Sequence, residues 1–511
     1  MMAPIDEPLD PRRWFAASVA IVSVAIPVLD NTILNLAVPT ILREFHTPLS
    51  SLQWVITGYS LTFATLLIIG GRLGDIFGHR RMFVLGAAIF GVGSLVASVS
   101  TSVPTLFVGE ALIEGIGASM MIPATLSILS TTFQGAERPK AFAAWGAVAG
   151  AAVAFGPILG GFLTTDYSWR WAFRINVIVA PIIVVGALLF MHPDERTTRR
   201  PHIDVRGAAL IATGSFSLIF GLSEGTIYGW WTPIKDLTVG SRHVWPATRA
   251  VSIIPLAFLL SALIFTAFVM IERAMERGDR DPLFEFGQLR HLGFRYGLLT
   301  TMVLAMGQFG LLFILPILLQ NGKHFSAWHA AQWMLPQGIL IALGAPIGGR
   351  LTRRFSITSI VRTGLALEAI GLLWVALAIS PRVSFLALLP GMVVFGLGVG
   401  FASSQLTNVI LSDIDPGKAG VAGGTNTTVR QVGLALGIAT FASFIDASTR
   451  SEGTPTAVAN GARPAMLFAA AVVGFGAGLS FLIPRVTVAR NSIPEETVGA
   501  LESIDVPSGR A

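Results

Sequence analysis

The sequence contains no cysteine, which excludes disulfides, thiolate metal sites and cysteine nucleophiles. Charge is scarce too: 13% of its 511 residues are Asp, Glu, Lys or Arg, against about 25% in an ordinary soluble domain. That deficit excludes a soluble protein. The apolar runs show no period-2 alternation, which excludes a transmembrane β-barrel. The eight histidines are scattered, and neither a serine triad nor a phosphate loop stands in a suitable context, which argues against a membrane-embedded enzyme. Met1 to Arg13 is too acidic and proline-rich for a signal peptide, so the apolar run after it reads as a retained first helix.

What is present is apolar length. Hydrophobic residues make up 53% of the chain, the mean hydropathy is +0.70, and 54 glycines and 28 prolines run through the apolar stretches. At about 20 residues per span the length suits twelve to fourteen crossings. Runs bounded by charge, proline or glycine predict six spans near 14–38, 52–72, 82–100, 104–126, 141–163 and 172–191. Two more follow near 205–228 and 249–271, and a last six near 296–320, 328–350, 358–380, 384–411, 419–445 and 464–484. The expected fold is therefore an all-α polytopic membrane protein. It divides into a six-helix bundle at 1–195, a segment with two additional spans at 196–290, a second bundle at 291–490 and a tail at 491–511.

Orientation follows from the basic residues. With the N-terminus inside, 24 of the 35 Lys and Arg fall on inner segments, including Arg196, Arg199 and Arg200; ten fall outside, and Arg430 lies within a span. Both termini are thus expected to be cytoplasmic, and the formal charge of +6 reflects this asymmetry rather than nucleic-acid binding. Trp54, Trp169, Trp171, Trp230, Trp231, Trp245 and Trp328 fall near the expected interfaces, as an aromatic belt requires. Gly70-Gly71-Arg72-Leu73 recurs as Gly348-Gly349-Arg350-Leu351, 278 residues on, at the equivalent place in the second bundle. A duplicated transporter fold is the reading.

Between the second and third spans, Gly71, Arg72, Gly74, Asp75, Gly78, His79, Arg80 and Arg81 combine turn-permitting glycines, one acid and several bases. A solvated positive-inside loop is the plain alternative. Late in the fifth span, Gly156, Pro157, Gly160 and Gly161 permit a bend and close packing, as an ordinary kinked helix also would. The first string resembles the signature loop of the major facilitator superfamily, with His79 where arginine is usual. The second resembles the antiporter motif of that superfamily, with Ala152 in place of a glycine. Leu29-Asp30-Asn31, the run from Trp169 to Val177, Val429-Arg430-Gln431 and the six-two-six layout are similar to the fourteen-helix drug:proton antiporter branch.

That resemblance implies two six-helix bundles plus two central helices, and a secondary transporter rather than an enzyme. Its implied partners are protons, an amphipathic small molecule and the bilayer, with the proton gradient as energy source, no cofactor or metal, no nucleic acid, and a monomeric state. A bacterial inner membrane is the implied location. The departures matter more. Where relatives carry arginine and then glutamine in the fourth helix, this chain has Ala111 and Glu114, with Glu110 one turn away; where some carry an acid in the second span, it has Thr57.

Charges inside a bilayer are expensive and so mark function by default. Asp30, Glu110 and Glu114 are expected to form the proton-coupling and substrate site, joined by Arg430; a structural ion pair of the acids with Arg174 or Arg430 is the alternative. Gln308, Gln405 and Asn408 are expected to line the cavity or else to bond neighbouring helices. Glu224, Glu368 and Asp446 are assigned to packing or interfaces, and Asp194 to a solvated loop where losing its carboxylate should do little. The expected function is proton-coupled export of amphipathic or cationic compounds. A same-fold transporter for a lipid, a nutrient or one natural product is the rival, and a non-transporting sensor or enzyme the more distant one.

Overall fold

The computed structural model describes residues 11–47, 49–194, 204–239, 242–278, 282–412, 414–415, 418–449 and 454–486. The connection holding Arg196, Arg199 and Arg200 and the tail at 491–511 lie outside the described residues, as does the side chain of Asp446. Fourteen long helical spans account for most of the rest, and among the described residues thirteen stretches are long and apolar enough to cross a membrane. The remaining long helix is α7 (Arg138–Asp166), which opens on Arg138 and Lys140 and is rich in alanine and glycine. The protein is a multi-pass membrane protein in which each span satisfies its own backbone, as hydrocarbon demands.

The first span is broken. Pro27 cannot donate to the carbonyl of Ser23, and the span divides into α1 (Arg13–Ser23) and α2 (Ala25–Phe45), placing Asp30 in the second turn after the break. The next spans are α3 (Leu49–Phe77) and α4 (His79–Ser98). The fourth begins with α5 (Val103–Leu106), passes through a π-helical segment at Phe107–Glu114, and continues as α6 (Gly115–Thr132). After α7 comes α8 (Trp171–Phe190). The two additional spans are α9 (Val205–Tyr228) and α10 (Ile253–Arg277). The last six are α11 (Leu292–Ile317), α12 (Ala327–Leu351), α13 (Ile357–Ala378), α14 (Phe385–Ser412), α15 (Ala419–Thr449) and α16 (Pro455–Leu479). The last span thus starts well before the expected residue 464, because Arg463 and Pro464 are taken into the helix.

Two features depart from the sequence reading. A small antiparallel hairpin, β1 (Leu237–Val239) and β2 (Arg242–Trp245), occupies the connection between α9 and α10, where Thr, Val and Trp favour extended pairing. Trp169 is not a belt residue: it is buried against Phe45 and Phe173, and its indole N–H donates to Glu44 Oε2 at 2.7 Å. An indole N–H needs an acceptor when buried, and Glu44 supplies it. Arg170 closes the same clasp, donating to Glu44 and to the Ser100 carbonyl.

The spans up to α8 pack chiefly on one another, as do those from α11 onward, and α9 touches both α3 and α15. Between the two sets the contacts run through α3 and α6 against α15 and through α7 against α12 and α14. Glycines mark several close approaches between the sets: Gly71 to Gly420, Gly424 to Leu67, Gly349 to Ala143, Gly146 to Ser404 and, nearer mid-helix, Gly150 to Ile341. The Gly71–Gly420 and Gly424–Leu67 approaches lie toward the end of the molecule that carries Arg72, Arg80, Arg81, Arg350 and Arg353, hereafter the basic end. The two sets are in contact there.

Candidate functional site

The π-helical turn explains how two glutamates come to share one face. With i to i+5 bonding, a residue and its fourth neighbour lie nearly above each other, so Glu110 and Glu114 both point inward while Val108 and Leu112 face out. Gly109 packs on the backbone of α4 at Gly93 and Ala97, and the Glu114 side chain lies over Gly93. Asp30 reaches the same point from α2. All three acids are buried, and one oxygen from each lies within 4.8 Å of the others.

The cluster is short of donors. Asn176 of α8 donates from Nδ2 to Asp30 Oδ1 at 2.8 Å. Among the described residues nothing donates to the second Asp30 oxygen or to any oxygen of Glu110 and Glu114. The hydroxyl of Tyr59 is buried and unpartnered as well, and that of Ser94 lies beside Glu114 without a well-formed hydrogen bond. Neither expected arginine supplies an ion pair. Arg174 is exposed and stacks over Trp171, and Arg430 sits in the other half, where its Nη2 donates to Gln308 Oε1 at 3.1 Å. The structure therefore joins Asp30, Glu110 and Glu114 and separates Arg430 from them. Three adjacent carboxylates without a counter-cation cannot all be ionised in a low-dielectric interior, so the cluster can hold protons, and its charge depends on how many.

A second constellation lies at the basic end. Asp75, whose side chain is 1% exposed, accepts from the backbone N–H of Gly420 at 2.8 Å and of Val421 at 3.0 Å. These are orphan donors in the first turn of α15, a natural seat for an anion. Arg72 is buried nearby, and His79 Nε2 stands 3.6 Å from Asp75. Gly71 and Gly420 each lie against the other's carbonyl, leaving no room for a Cβ. Gly78, at φ +103°, makes the turn from α3 to α4. Arg80 reaches away from the seam to cap α8, donating to the carbonyls of Ala187 and Leu188.

Asp194 corrects an expectation. It is no solvated bystander: its two oxygens accept from the N–H of Arg80 and Arg81, capping the first turn of α4. Of the other sequence candidates, Gly156, Pro157, Gly160 and Gly161 lie within an uninterrupted α7. Gln405 is buried at the seam and donates to the Pro139 carbonyl of the opposite half, while Gln308 holds Arg430 and Asn408 is buried with an unpartnered amide nitrogen. Sequence reasoning assigned no role to Asn176, Tyr59 or Ser94; a polar residue in an otherwise apolar span was the available signal. Glu224 of α9, assigned from sequence to packing or an interface, is buried beside Thr57 of α3.

With this geometry in view, comparison with known proteins is decisive at the family level: residues 20–438 match the Major Facilitator Superfamily. The chain belongs to that superfamily. It is a membrane transporter, not an enzyme. It is 34% identical over 450 residues to the "Probable actinorhodin transporter" of Streptomyces coelicolor, covering 87% of this chain and 74% of that protein. It is 31% identical over 487 residues to the "Puromycin resistance protein pur8" of Streptomyces alboniger, covering 93% and 92%. The fold is also that of the human organic anion transporter MFSD10, at a TM-score of 0.63 and 17% identity, over 93% of this superfamily member and all of that chain.

Proposed function

We propose that the protein is a proton-coupled exporter of amphipathic or cationic organic compounds, built on the fourteen-helix drug:proton antiporter plan. It works as a monomer in a bacterial inner membrane, with its termini and its basic end in the cytoplasm, and draws on the proton gradient without a cofactor. The bundles at 1–195 and 291–490 rock against each other, and opening the Gly71–Gly420 seam admits substrate from the cytoplasm.

The observation that carries this reading is the donor-poor carboxylate cluster of Asp30, Glu110 and Glu114. Protonation from the acidic outer side neutralises the cluster and releases a bound cation; proton loss inside restores the attraction. Such a change gives the two conformations different affinities, which is the driving term coupling needs. Asp75 steadies the state closed at the basic end, and the small-residue face of α7 lets the halves slide. A narrower reading, one natural product as cargo, is favoured by relatives whose names each denote a single compound, actinorhodin or puromycin.

Glu114→Gln and Asp30→Asn are near-isosteric and test the site. Each is expected to cut proton-driven efflux from inverted vesicles by about tenfold or more, the scale of a lost charge-dependent interaction, with membrane abundance unchanged. If both variants keep wild-type, pH-dependent efflux against a broad compound panel, the assignment fails. Efflux of one compound alone by the wild type would select the narrower reading.

A further inference from the structure

Glu368 lies at mid-length in α13, fully buried, and neither of its carboxylate oxygens meets a donor. Around it α11 presents Gly307, α16 Val473 and α14 Gly398; a methyl group at Gly307 would stand 2.7 Å from Glu368 Oε1. Among the described residues the nearby charge is Arg430 of α15, whose partner Gln308 is the next residue along α11 from Gly307. The two do not pair, because the Arg430 guanidinium donates to Gln308 on α11 instead. A carboxyl with no donor and a guanidinium turned to a neutral amide form a consistent arrangement only when the carboxyl is uncharged, since an ionised carboxylate left unpaired here would draw the nearby cation to itself.

We propose that Glu368 is a second proton-carrying residue of the transport cycle, with Arg430 as its exchangeable counter-charge. In the state seen, Glu368 holds its proton and Arg430 rests on Gln308. When the Glu368 O–H bond breaks and the proton passes to water, the guanidinium leaves the Gln308 carbonyl and donates to the new carboxylate; protonation reverses the exchange. Arg430 stands ten residues along α15 from Gly420, about 15 Å of helix, so the swing pulls on the helix whose first turn Asp75 holds. The second half thereby reports its protonation to the seam between the halves. This rests on the reading of the protein as proton-coupled but uses residues outside the Asp30 cluster.

The test needs no known substrate. In the full-length protein in lipid vesicles, the infrared C=O stretch of protonated carboxyls is followed against pH, and spin labels on cysteines replacing Phe77 and Phe355 report the width of the basic end. The wild type is expected to lose a buried-carboxyl band as pH rises, together with a change in the interspin distance. Glu368→Gln should lack that band and show a smaller distance change, and Glu368→Asp should restore both. Gln308→Leu, which deprives Arg430 of its resting partner, should shift the band's loss to lower pH. A Glu368 band that persists at every pH at which the protein stays folded, or a Glu368→Gln distance change equal to wild type, overturns the proposal. Glu114→Gln run in parallel separates the two readings: if it alone abolishes the pH response, the Asp30 cluster couples protons and Glu368 does not.

Discussion

At the scale of single residues, the acids divide by what reaches them. Asp194 has two backbone donors, so Asp194→Ala should destabilise the protein by about 1 kcal/mol, the usual worth of a helix cap, while Asp194→Asn keeps most of it. Thermal unfolding of the two variants checks this, and equal melting of Asp194→Ala and wild type would dismiss the cap. Glu137, outside the spans, is gripped by Arg13 through both carboxylate oxygens at 3.0 and 3.1 Å. The Arg13 hydrogen bonds hold its carboxyl below the usual glutamate range, against the opposing effect of burial. A depressed acid stabilises above its unfolded pKa and loses that contribution as pH falls through its folded one. The melting difference between wild type and Glu137→Gln should therefore be constant at neutral pH, begin to shrink as pH falls past about 4.3, and vanish only below the lower folded pKa. Asp30, Glu110 and Glu114 were legible in the sequence because a charge in an apolar run stands out. Asp194 was not, since its partners are 114 and 113 residues away and offer only backbone.

At the scale of elements, the spans were readable from apolar length, and their ends were not. Thr57 looked like a lost acid in the second span, yet α9 brings Glu224 to it, a contact between distant helices that no local pattern encodes. The π-helical turn at Phe107–Glu114 was hidden for a related reason: its composition is that of any apolar helix, and packing on α4 selects it. The α3–α15 crossing permits a direct test. Gly71→Ala should favour α3 in isolation by up to about 1 kcal/mol, yet its methyl meets the Gly420 carbonyl. The variant should fold and insert normally, stay open at the basic end and transport at least about tenfold more slowly, as loss of one conformation from a two-state cycle predicts. Spin-label distances across that end measure the opening; a wild-type distance distribution would show that the crossing tolerates a side chain.

At the scale of the molecule, the basic asymmetry yields a topology that the chain's lack of cysteine makes easy to probe. Single cysteines at Thr47 and Lys235 should react with an impermeant thiol reagent added outside intact cells, and those at Gly278 and Arg354 only after permeabilisation. The reverse pattern would invert the protein in the membrane. How the halves meet could not be read from sequence, because glycines that approach across a seam look like any others in a membrane helix. That seam has a further consequence. Where Gly71 meets Gly420 and Gly424 meets Leu67, the contact is main chain against main chain, held by one carboxylate on two amide protons. A closure made of backbone is blind to cargo. Residues that touch the transported compound are then free to diverge between lineages while the opening mechanism stays fixed, so a family can acquire new chemical repertoires without rebuilding its door.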